Sequence, residues 1–554
     1  MANPTLSKKS DTNLTVNNNT KRLFQVIYRE QNQGEKSNDE VPKIKVSELV
    51  SKMAFYYEKI RNSVDYKEEH LHRKNAIERI LRRHIIIEGA ISLKGLDSRE
   101  IANHLLVELI RAAYLENNKI PETKIDEIEE VLSRYLKLKK YSQEAIRELS
   151  IKEKNEFNKW IISLAASDIE EKLGRSKLDL TVMDYLYEIL TANIKLPKDS
   201  PYEKDKEIQI FAGIHRTLLK FDRDMISHLL FKYYNPNWQS LSDGEIARDG
   251  KNILGLRRKI DKQLDHPLAV QLNRIISRYT VFFTVLIDVI SEDPRGVYDS
   301  IQRDPKAFPR QIKKICSKKY STARTKLWRA AVRSIIYIFI TKSVFAILLE
   351  VPATKWFGEE INTFSLIVNI SFPAILLFLV VLFTRLPSDA NSSKIVQGVE
   401  EIIYVEHERK DPFQLRKPVK RKKLMHSVFG LIYGITFFLS FGLVVWVLNL
   451  LQFSFVSIII FLFFLAFVSF FSIRIRKNAK EFIILEPKEN IFSFILDFFY
   501  VPVVSAGKWL SEKFSRINVF VFFLDFIIEA PFKIFVSIAE EWTRYVKERK
   551  DEIV

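Results

Sequence analysis

A stretch of 47 residues without a charged side chain, at 427–473, limits the folds open to this chain more than any other feature. A helix needs about 20 mostly apolar residues to cross the hydrocarbon core of a bilayer. The stretch is therefore too long for one crossing and long enough for two. Asn449 and Gln452 are polar residues near its middle, so we predict spans near 427–448 and 453–473, joined by a tight turn.

Two further apolar stretches precede this pair. Residues 364–384 contain 21 residues without a charge. Residues 332–351 are a weaker candidate, because Lys342 lies near their middle and Glu350 near their end, and a charge in hydrocarbon is costly. We predict both stretches as spans, which gives four crossings.

The predicted spans contain three polar or small-residue features. Lys342 can pair inside a helix bundle, snorkel to the bilayer surface or serve ion transport, and we favour the first two. Asn369 lies four residues before Pro373, where an amide can satisfy the carbonyl that a proline frees. Gly430 and Gly434 form a GxxxG pattern, which lets a second helix approach closely.

The location of the net charge of +18 decides between two classes of partner. Residues 295–333 hold twelve basic and two acidic residues, 409–423 hold eight and one, and 474–480 hold four basic residues. Residues 1–294 hold 49 basic and 45 acidic residues and are close to neutral. Since the basic stretches border apolar spans, the pattern is typical of the cytosolic flanks of a membrane protein and does not favour nucleic acid.

The same flanks predict the orientation of the spans. Residues 352–363 carry one lysine and two glutamates, and the turn near 450 carries no charge, so both are predicted to lie outside the cell. We therefore predict a protein integral to the cell membrane (the cytoplasmic membrane in a bacterium), with both termini in the cytosol.

The bilayer itself is a predicted partner, because each basic residue near an anionic surface contributes about 1 kcal/mol of attraction. We expect anionic lipid headgroups to contact the basic residues that flank the third and fourth spans. These are Arg416, Lys417, Lys420, Arg421, Lys422, Lys423, Arg474, Arg476 and Lys477.

Outside the spans the hydrophobic periodicity is helical, and no alternation typical of strands persists, so we predict an all-α fold. Residues 1–45 begin with a polar segment and are predicted to be disordered. Helical cytosolic subdomains are predicted at 46–196 and 197–330, the second ending in the basic stretch before the first span. Residues 331–480 are the predicted membrane region.

The remaining residues, 481–554, contain an internal repeat and a charged final helix. The segments NIFSFILDFF at 490–499 and NVFVFFLDFI at 518–527 share six of ten residues, and each is too short to cross a bilayer. Two placements remain open: the helices lie in the membrane interface, or they pack against the four-span bundle.

The sequence patterns of common catalytic and cofactor sites do not occur in the chain. It contains no HExxH, no GxxxxGK[ST] and no GxSxG. The nine histidines are scattered and are expected at the surface. Cys316, the single cysteine, lies among lysines that favour its thiolate, but no base or orienting partner is identifiable. We therefore predict no enzymatic activity, no cofactor and no metal site.

The predicted function is that of a membrane-anchored binding or scaffold protein, whose cytosolic helices engage an unidentified protein partner. The alternative is a component of a transporter or channel. Few polar groups lie in the spans, and no two spans are broken in matching positions, which counts against it. A membrane-embedded enzyme comes third, because no acid, base, nucleophile or metal cluster is recognisable.

Overall fold

The structure is a computed structural model. It describes residues 16–33, 41–47, 58, 69–91, 97–174, 176–304, 306–360, 362–384, 386–404, 409, 411–417, 423–479, 481–485, 491–516, 538, 541–542, 545–546 and 548–550. The prediction of an all-α fold is confirmed, with almost no strand beside the helices.

The described residues divide into two compact units. One, the N-terminal unit, takes its residues from Asn17–Thr280, Val405–Pro418 and Phe520–Val554. The other, the apolar unit, takes them from Met1–Val16, Val281–Tyr404 and Val419–Val519. The subdomain boundaries drawn from the sequence stay predictions. Within the segment predicted to be disordered, however, Asn18–Gln33 is a helix with Leu23 and Ile27 buried.

The N-terminal unit is built from helices of about three to seven turns. In chain order they are α1 (Asn18–Gln33), α2 (Glu69–Ile91), α3 (Ser98–Arg111), α4 (Thr123–Tyr141), α5 (Ile151–Gly174), α6 (Lys177–Asn193), α7 (Lys206–Thr217), α8 (Arg223–Tyr234), α9 (Asp243–Leu264) and the first half of α10 (Ala269–Glu292).

One hydrophobic core runs through most of the N-terminal unit. Helix α5 lies at its centre and packs against α2, α4 and α8. Phe157 and Leu164 on α5 are fully buried. Trp238 stacks edge-on against Phe231 at 4.8 Å between ring centroids and lies 5.1 Å from the ring of Tyr135. This unit therefore buries a core of its own, as expected for the near-neutral part of the chain.

A two-stranded parallel pairing ties a later segment of the chain to this unit. Strand β1 (Ile194–Lys195) pairs with β2 (Phe413–Gln414). The backbone amide of Arg409 donates to Asn193 Oδ1 at 2.6 Å, and its guanidinium donates to the hydroxyl of Tyr279 at 3.0 Å. Segment 411–417, with Arg409, is thus fixed beside α6 and α10.

The apolar unit contains the remaining helices. They are α11 (Pro294–Arg303), α12 (Ala307–Phe345), α13 (Val351–Trp356), α14 (Thr363–Leu382), α15 (Asp389–Tyr404), α16 (Lys423–Leu450), α17 (Phe455–Ala479) and α18 (Ile491–Arg516), together with the second half of α10. A π-helical segment, Ala346–Glu350, joins α12 to α13.

Four helices in the described residues are long and apolar enough to cross a membrane. They cover Ala307–Trp356, Thr363–Leu382, Ser427–Leu450 and Phe455–Arg476. The first and third contain the predicted spans, and the second and fourth match theirs except for two residues at one end. The turn between the last two lies slightly later than predicted: α16 ends at Leu450, and Gln452 adopts a left-handed backbone with φ of 55°. The first span is not separate from the basic stretch before it, because α12 runs without a break through position 330.

Helix α18 contains the first copy of the C-terminal repeat, and it packs against α16 and α17. The Tyr500 hydroxyl donates to the Ser469 carbonyl at 3.2 Å, and a Cβ built on Gly507 would meet the backbone of Ala466. Later residues of α18 meet earlier residues of α17, so the two helices are antiparallel. Helix α18 therefore packs against two of the predicted spans, while the choice between the two placements stays a prediction. The second copy of the repeat lies outside the described residues.

Candidate functional site

The helices of the apolar unit enclose a cluster of charged and amide side chains. Lys342 lies in the last two turns of α12, and Glu350 ends the π-helical segment that follows. Their exposed fractions are 0% and 1%. Lys342 Nζ lies 3.9 Å from Glu350 Oε2, which makes them an ion pair within one continuous helix.

The π-helical segment places the Glu350 carboxylate within reach of the Lys342 ammonium. In that segment the amide of Val351 bonds to the carbonyl of Ala346, five residues earlier, and widens the helix. Pro352 follows at once, and a proline cannot donate the backbone hydrogen bond that a regular α-helix requires. We attribute the change in helix type to this proline.

Two other helices supply hydrogen bonds to the same carboxylate. Asn369 of α14 donates from Nδ2 to Glu350 Oε1 at 2.5 Å, and the Ser457 hydroxyl of α17 donates to that oxygen at 2.8 Å. Asn369 Nδ2 also lies 3.3 Å from the carbonyl of Ser457. Glu350 thus connects α14 and α17 to the end of α12.

The Lys342 ammonium has an apolar and aromatic surround. It lies 4.0 Å from the centroid of the Phe464 ring, a favourable cation–π distance. Three buried polar atoms of the cluster make no hydrogen bond within the described residues: Lys342 Nζ, Glu350 Oε2 and Asn369 Oδ1. The cluster is therefore paired in charge but incompletely hydrogen-bonded.

Of the two favoured expectations for Lys342, pairing and snorkelling, its contacts correspond to pairing: the amine is buried beside an acidic partner. The Asn369 amide does not satisfy the carbonyl freed by Pro373 in its own helix, but donates to Glu350 and to α17. In the sequence, Glu350 was only a feature that weakened the first span, and Ser457 gave no signal among many serines.

The predicted headgroup residues are spread over both units. Arg416 and Lys417 are exposed, and the backbone of Arg416 is held by the side chain of Gln271. Arg474 is exposed and Arg476 is partly buried. The predicted positions Lys420, Arg421 and Lys422 lie outside the described residues, while Lys423 and Lys477 are described only as parts of α16 and α17.

The GxxxG glycines of α16 are not at a helix crossing formed by the described residues. A Cβ built on Gly430 or on Gly434 would meet no atom within 4 Å. The glycine that does permit a close crossing is Gly507 of α18, packed on the backbone of Ala466. The sequence did not reveal it, because a single glycine without a GxxxG partner carries no recognisable pattern.

Two expectations about reactive side chains are wrong. His215, His228 and His266 are buried, with exposed fractions of 1%, 3% and 4%, and do not lie at the surface. Cys316 is also buried, and removal from water disfavours the charged form of a thiol. The lysines near Cys316 in the sequence therefore do not produce a reactive thiolate.

Comparisons of the chain with protein-family models, with curated proteins and with solved structures gave no match.

Proposed function

We propose that the chain is an integral membrane protein with four crossings and both termini in the cytosol, whose N-terminal unit binds a protein partner and holds it at the membrane. Four helices long and apolar enough to cross a membrane support the first half. The separate core of the N-terminal unit supports the second, because a soluble-type core can present a surface independently of the spans.

The observation that carries the proposal is that the buried charged groups Lys342 and Glu350 contact each other and neighbouring helices. Glu350 accepts from α14 and α17, and it lies beside Lys342 with almost no exposure of either side chain. Groups that line a conduction path need contact with water or substrate. Here they bind one another and connect three helices, so the cluster serves to fix the bundle.

The N-terminal unit has a concave surface that suits a basic partner segment. It is an open groove of about 470 Å³ between α4 and the start of α9. Its lining includes four acidic and two basic side chains: Asp126, Glu129, Glu130, Asp243, Arg134 and Lys137. The excess of carboxylates favours a positively charged ligand.

The binding proposal is tested with the full-length protein in its native membrane. Partners captured by in-cell cross-linking are compared between the parent and the double variant Asp126→Lys/Glu129→Lys. Both residues are ion-paired with Arg99, whose side chain is 61% exposed. Surface pairs of this kind contribute at most about 1 kcal/mol, so the fold should tolerate their loss. The control is Glu144→Lys/Glu148→Lys, two exposed acidic residues outside the groove.

We expect one partner to be captured in stoichiometric amounts by the parent and by the control, and to be reduced at least fivefold with the groove variant. Equal capture by both variants would place the partner elsewhere on the unit. Absence of any stoichiometric partner would contradict the scaffold function.

A second candidate, transport, is favoured by one observation. Lys342 Nζ, Glu350 Oε2 and Asn369 Oδ1 are buried without hydrogen bonds in the described residues, and such atoms mark ion or proton sites in some membrane proteins. The test is proton or cation flux in proteoliposomes containing the parent or Lys342→Met. A flux that the substitution abolishes would replace scaffolding by transport as the function.

The proposal includes anionic lipid as a second partner and no catalytic activity or cofactor. Arg416, Lys417 and Arg474 are exposed, so their charges are available to headgroups. Attraction of this kind is weakened by salt. Retention of the purified protein by phosphatidylserine vesicles should therefore fall as ionic strength rises, whereas retention that is independent of salt would contradict a headgroup role.

A further inference from the structure

A second buried cluster lies in the N-terminal unit, where α4, α5 and α8 pack together. Asp168 and Glu171 lie three residues apart on α5 and therefore share a face. That face meets His228 and Lys232 of α8 and Tyr135 of α4. None of these residues contributes to the groove or to the polar cluster of the apolar unit.

The spacing of these groups is longer than a hydrogen bond and close to that of ligands on one ion. His228 Nε2 lies 3.7 Å from Asp168 Oδ2. The other ring nitrogen, Nδ1, lies 3.8 Å from Glu171 Oε2, but one ion binds a single nitrogen of an imidazole, so only the first distance is a ligand spacing. Hydrogen bonds between nitrogen and oxygen rarely exceed about 3.2 Å. Two ligands at about 2.1 Å from a tetrahedral zinc lie roughly 3.4 Å apart. One ligand atom from each of the three residues can be chosen so that all lie within 4.8 Å of one another.

Two atoms of the cluster are buried and have no hydrogen-bond partner within the described residues. They are Asp168 Oδ1 and His228 Nε2, on side chains exposed by only 1% and 4%. An unpaired buried polar atom costs about 1–3 kcal/mol. Two such atoms on neighbouring helices, both of types that bind metals, point to a ligand between them.

The surrounding groups prepare Asp168 to act as an anionic ligand. The Tyr135 hydroxyl donates to Asp168 Oδ2 at 3.2 Å and orients the carboxylate.

We propose that Asp168, Glu171 and His228 bind a divalent transition-metal ion, for which two carboxylates and one imidazole are suitable ligands. Lys232 is its built-in competitor. The Lys232 ammonium contacts both oxygens of Glu171, at 3.0 and 3.1 Å. Glu171 and Lys232 are the more exposed members of the cluster, at 20% and 27%, so Glu171 can exchange the ammonium for the ion.

Such an ion would link α5 to α8 across the core, since its ligands come from both helices. Metal binding then stabilises the folded unit by mass action, because the unfolded chain does not hold the ligands together. This inference is independent of the proposed function, and either can fail without the other.

The test uses the full-length protein purified in detergent, freed of metal with a chelator and dialysed against Zn²⁺ as the probe. Bound metal is measured by mass spectrometry, and stability by thermal unfolding with and without Zn²⁺. We expect one equivalent of Zn²⁺ and a higher Tm for the parent. Both should be lost in Asp168→Asn and in His228→Gln. His104→Gln, which removes a histidine exposed by 52%, is the control and should behave as the parent.

Lys232→Met distinguishes a metal site from a set of ion pairs even if the ligand variants fail to fold. Removal of the competing ammonium should tighten Zn²⁺ binding by up to about fivefold, because Glu171 no longer has to give up its ion pair with Lys232 before it binds the ion. If the parent binds no Zn²⁺, or if Lys232→Met leaves the affinity unchanged or lowers it, the proposal is wrong and the cluster is an ion-pair network.

Discussion

At the scale of single residues, Glu350 has the largest predicted effect in the apolar unit. Glu350→Gln removes the charge that faces Lys342 while keeping the size of the side chain. An uncompensated buried charge costs about 3–5 kcal/mol when its partner is removed. We therefore expect Glu350→Gln to lower the free energy of unfolding by that amount, measured by denaturant unfolding in detergent.

The matched control is the double variant Lys342→Met/Glu350→Gln. It removes both charges from an apolar surround and should recover most of the stability, to within about 1 kcal/mol of the parent, since replacing a buried pair is often neutral. A double variant as unstable as the sum of its two single variants would show that the charges are not coupled across their 3.9 Å separation.

A second buried lysine predicts a pH dependence in the N-terminal unit. The exposed fraction of Lys74 is 1%, and its ammonium lies 3.0 Å from Asp224 and 3.2 Å from Asp222, the N-cap of α8. Burial lowers the pKa of Lys74, but these carboxylates and Glu78 outweigh burial, and the pKa lies above its ordinary value of 10.5.

A raised pKa in the folded state stabilises the protein below the unfolded pKa, and this contribution is lost as pH rises through the folded value. The Lys74 contribution is therefore complete at pH 9 and disappears in the alkaline range above about 10.5. Lys74→Met should lower the Tm at pH 9, and the difference from the parent should shrink at pH 11. A difference that grows with pH would contradict the assigned pairing.

At the scale of helices, the crossing of α18 over α17 depends on Gly507. A side chain there would press on the backbone of Ala466, which cannot move aside as a flexible side chain can. We expect Gly507→Val to lower the Tm of the protein in detergent by several degrees, since overpacking costs about 1–3 kcal/mol.

Gly434→Val is the matched control, because it makes the same change in a neighbouring helix. No atom lies within 4 Å of a Cβ at that position, so the Tm should change little. If Gly434→Val is as damaging as Gly507→Val, the GxxxG face of α16 is packed against something other than the described helices of one chain.

Sequence patterns identified three of the four apolar helices because each contains a long uncharged run, and runs of this length are typical of helices that cross a bilayer. The first was the weaker candidate, because Lys342 and Glu350 interrupt its apolar run. The patterns did not identify the π-helical segment at Ala346–Glu350, since apolar runs look the same in α and π geometry. They also did not reveal which helices touch. The contact of Glu350 with Ser457, 107 residues later in the chain, depends on tertiary packing that no local pattern encodes.

The same limit explains the buried cluster of the N-terminal unit. Asp168 and Glu171 are three residues apart, the spacing of one helix face. The third proposed ligand, His228, lies on another helix, and its distance from them along the chain matches no known metal-binding motif. The histidines were expected at the surface because they were scattered in sequence. Separation along the chain does not prevent burial, since α5 and α8 bring distant residues together.

At the scale of the whole molecule, the predicted orientation places a condition on the C-terminus. Helix α18 runs antiparallel to α17, from the end of α17 that carries the basic residues Arg474 and Arg476 towards its start. If α17 crosses towards the cytosol, α18 leads back into the bundle. A cytosolic C-terminus then requires the chain after Arg516 to return towards the same face.

The orientation is tested most directly by labelling single cysteines in intact cells. The chain has one native cysteine, so Cys316→Ser provides a background without thiols. Single cysteines replace Phe357, Ser393, Leu485 and Lys550, which are all exposed. Phe357 and Ser393 lie between spans, and Leu485 and Lys550 follow the fourth span. Each variant is treated with a membrane-impermeant maleimide before and after the cells are opened.

We predict that only Phe357→Cys is labelled in intact cells, and that all four are labelled once the cells are opened. That pattern places Phe357 outside the cell and the other three positions in the cytosol, as four crossings with both termini in the cytosol require. Labelling of Ser393→Cys in intact cells would contradict the orientation of the spans. If Phe357→Cys and Lys550→Cys are both labelled in intact cells and the other two variants are not, α18 is a fifth crossing.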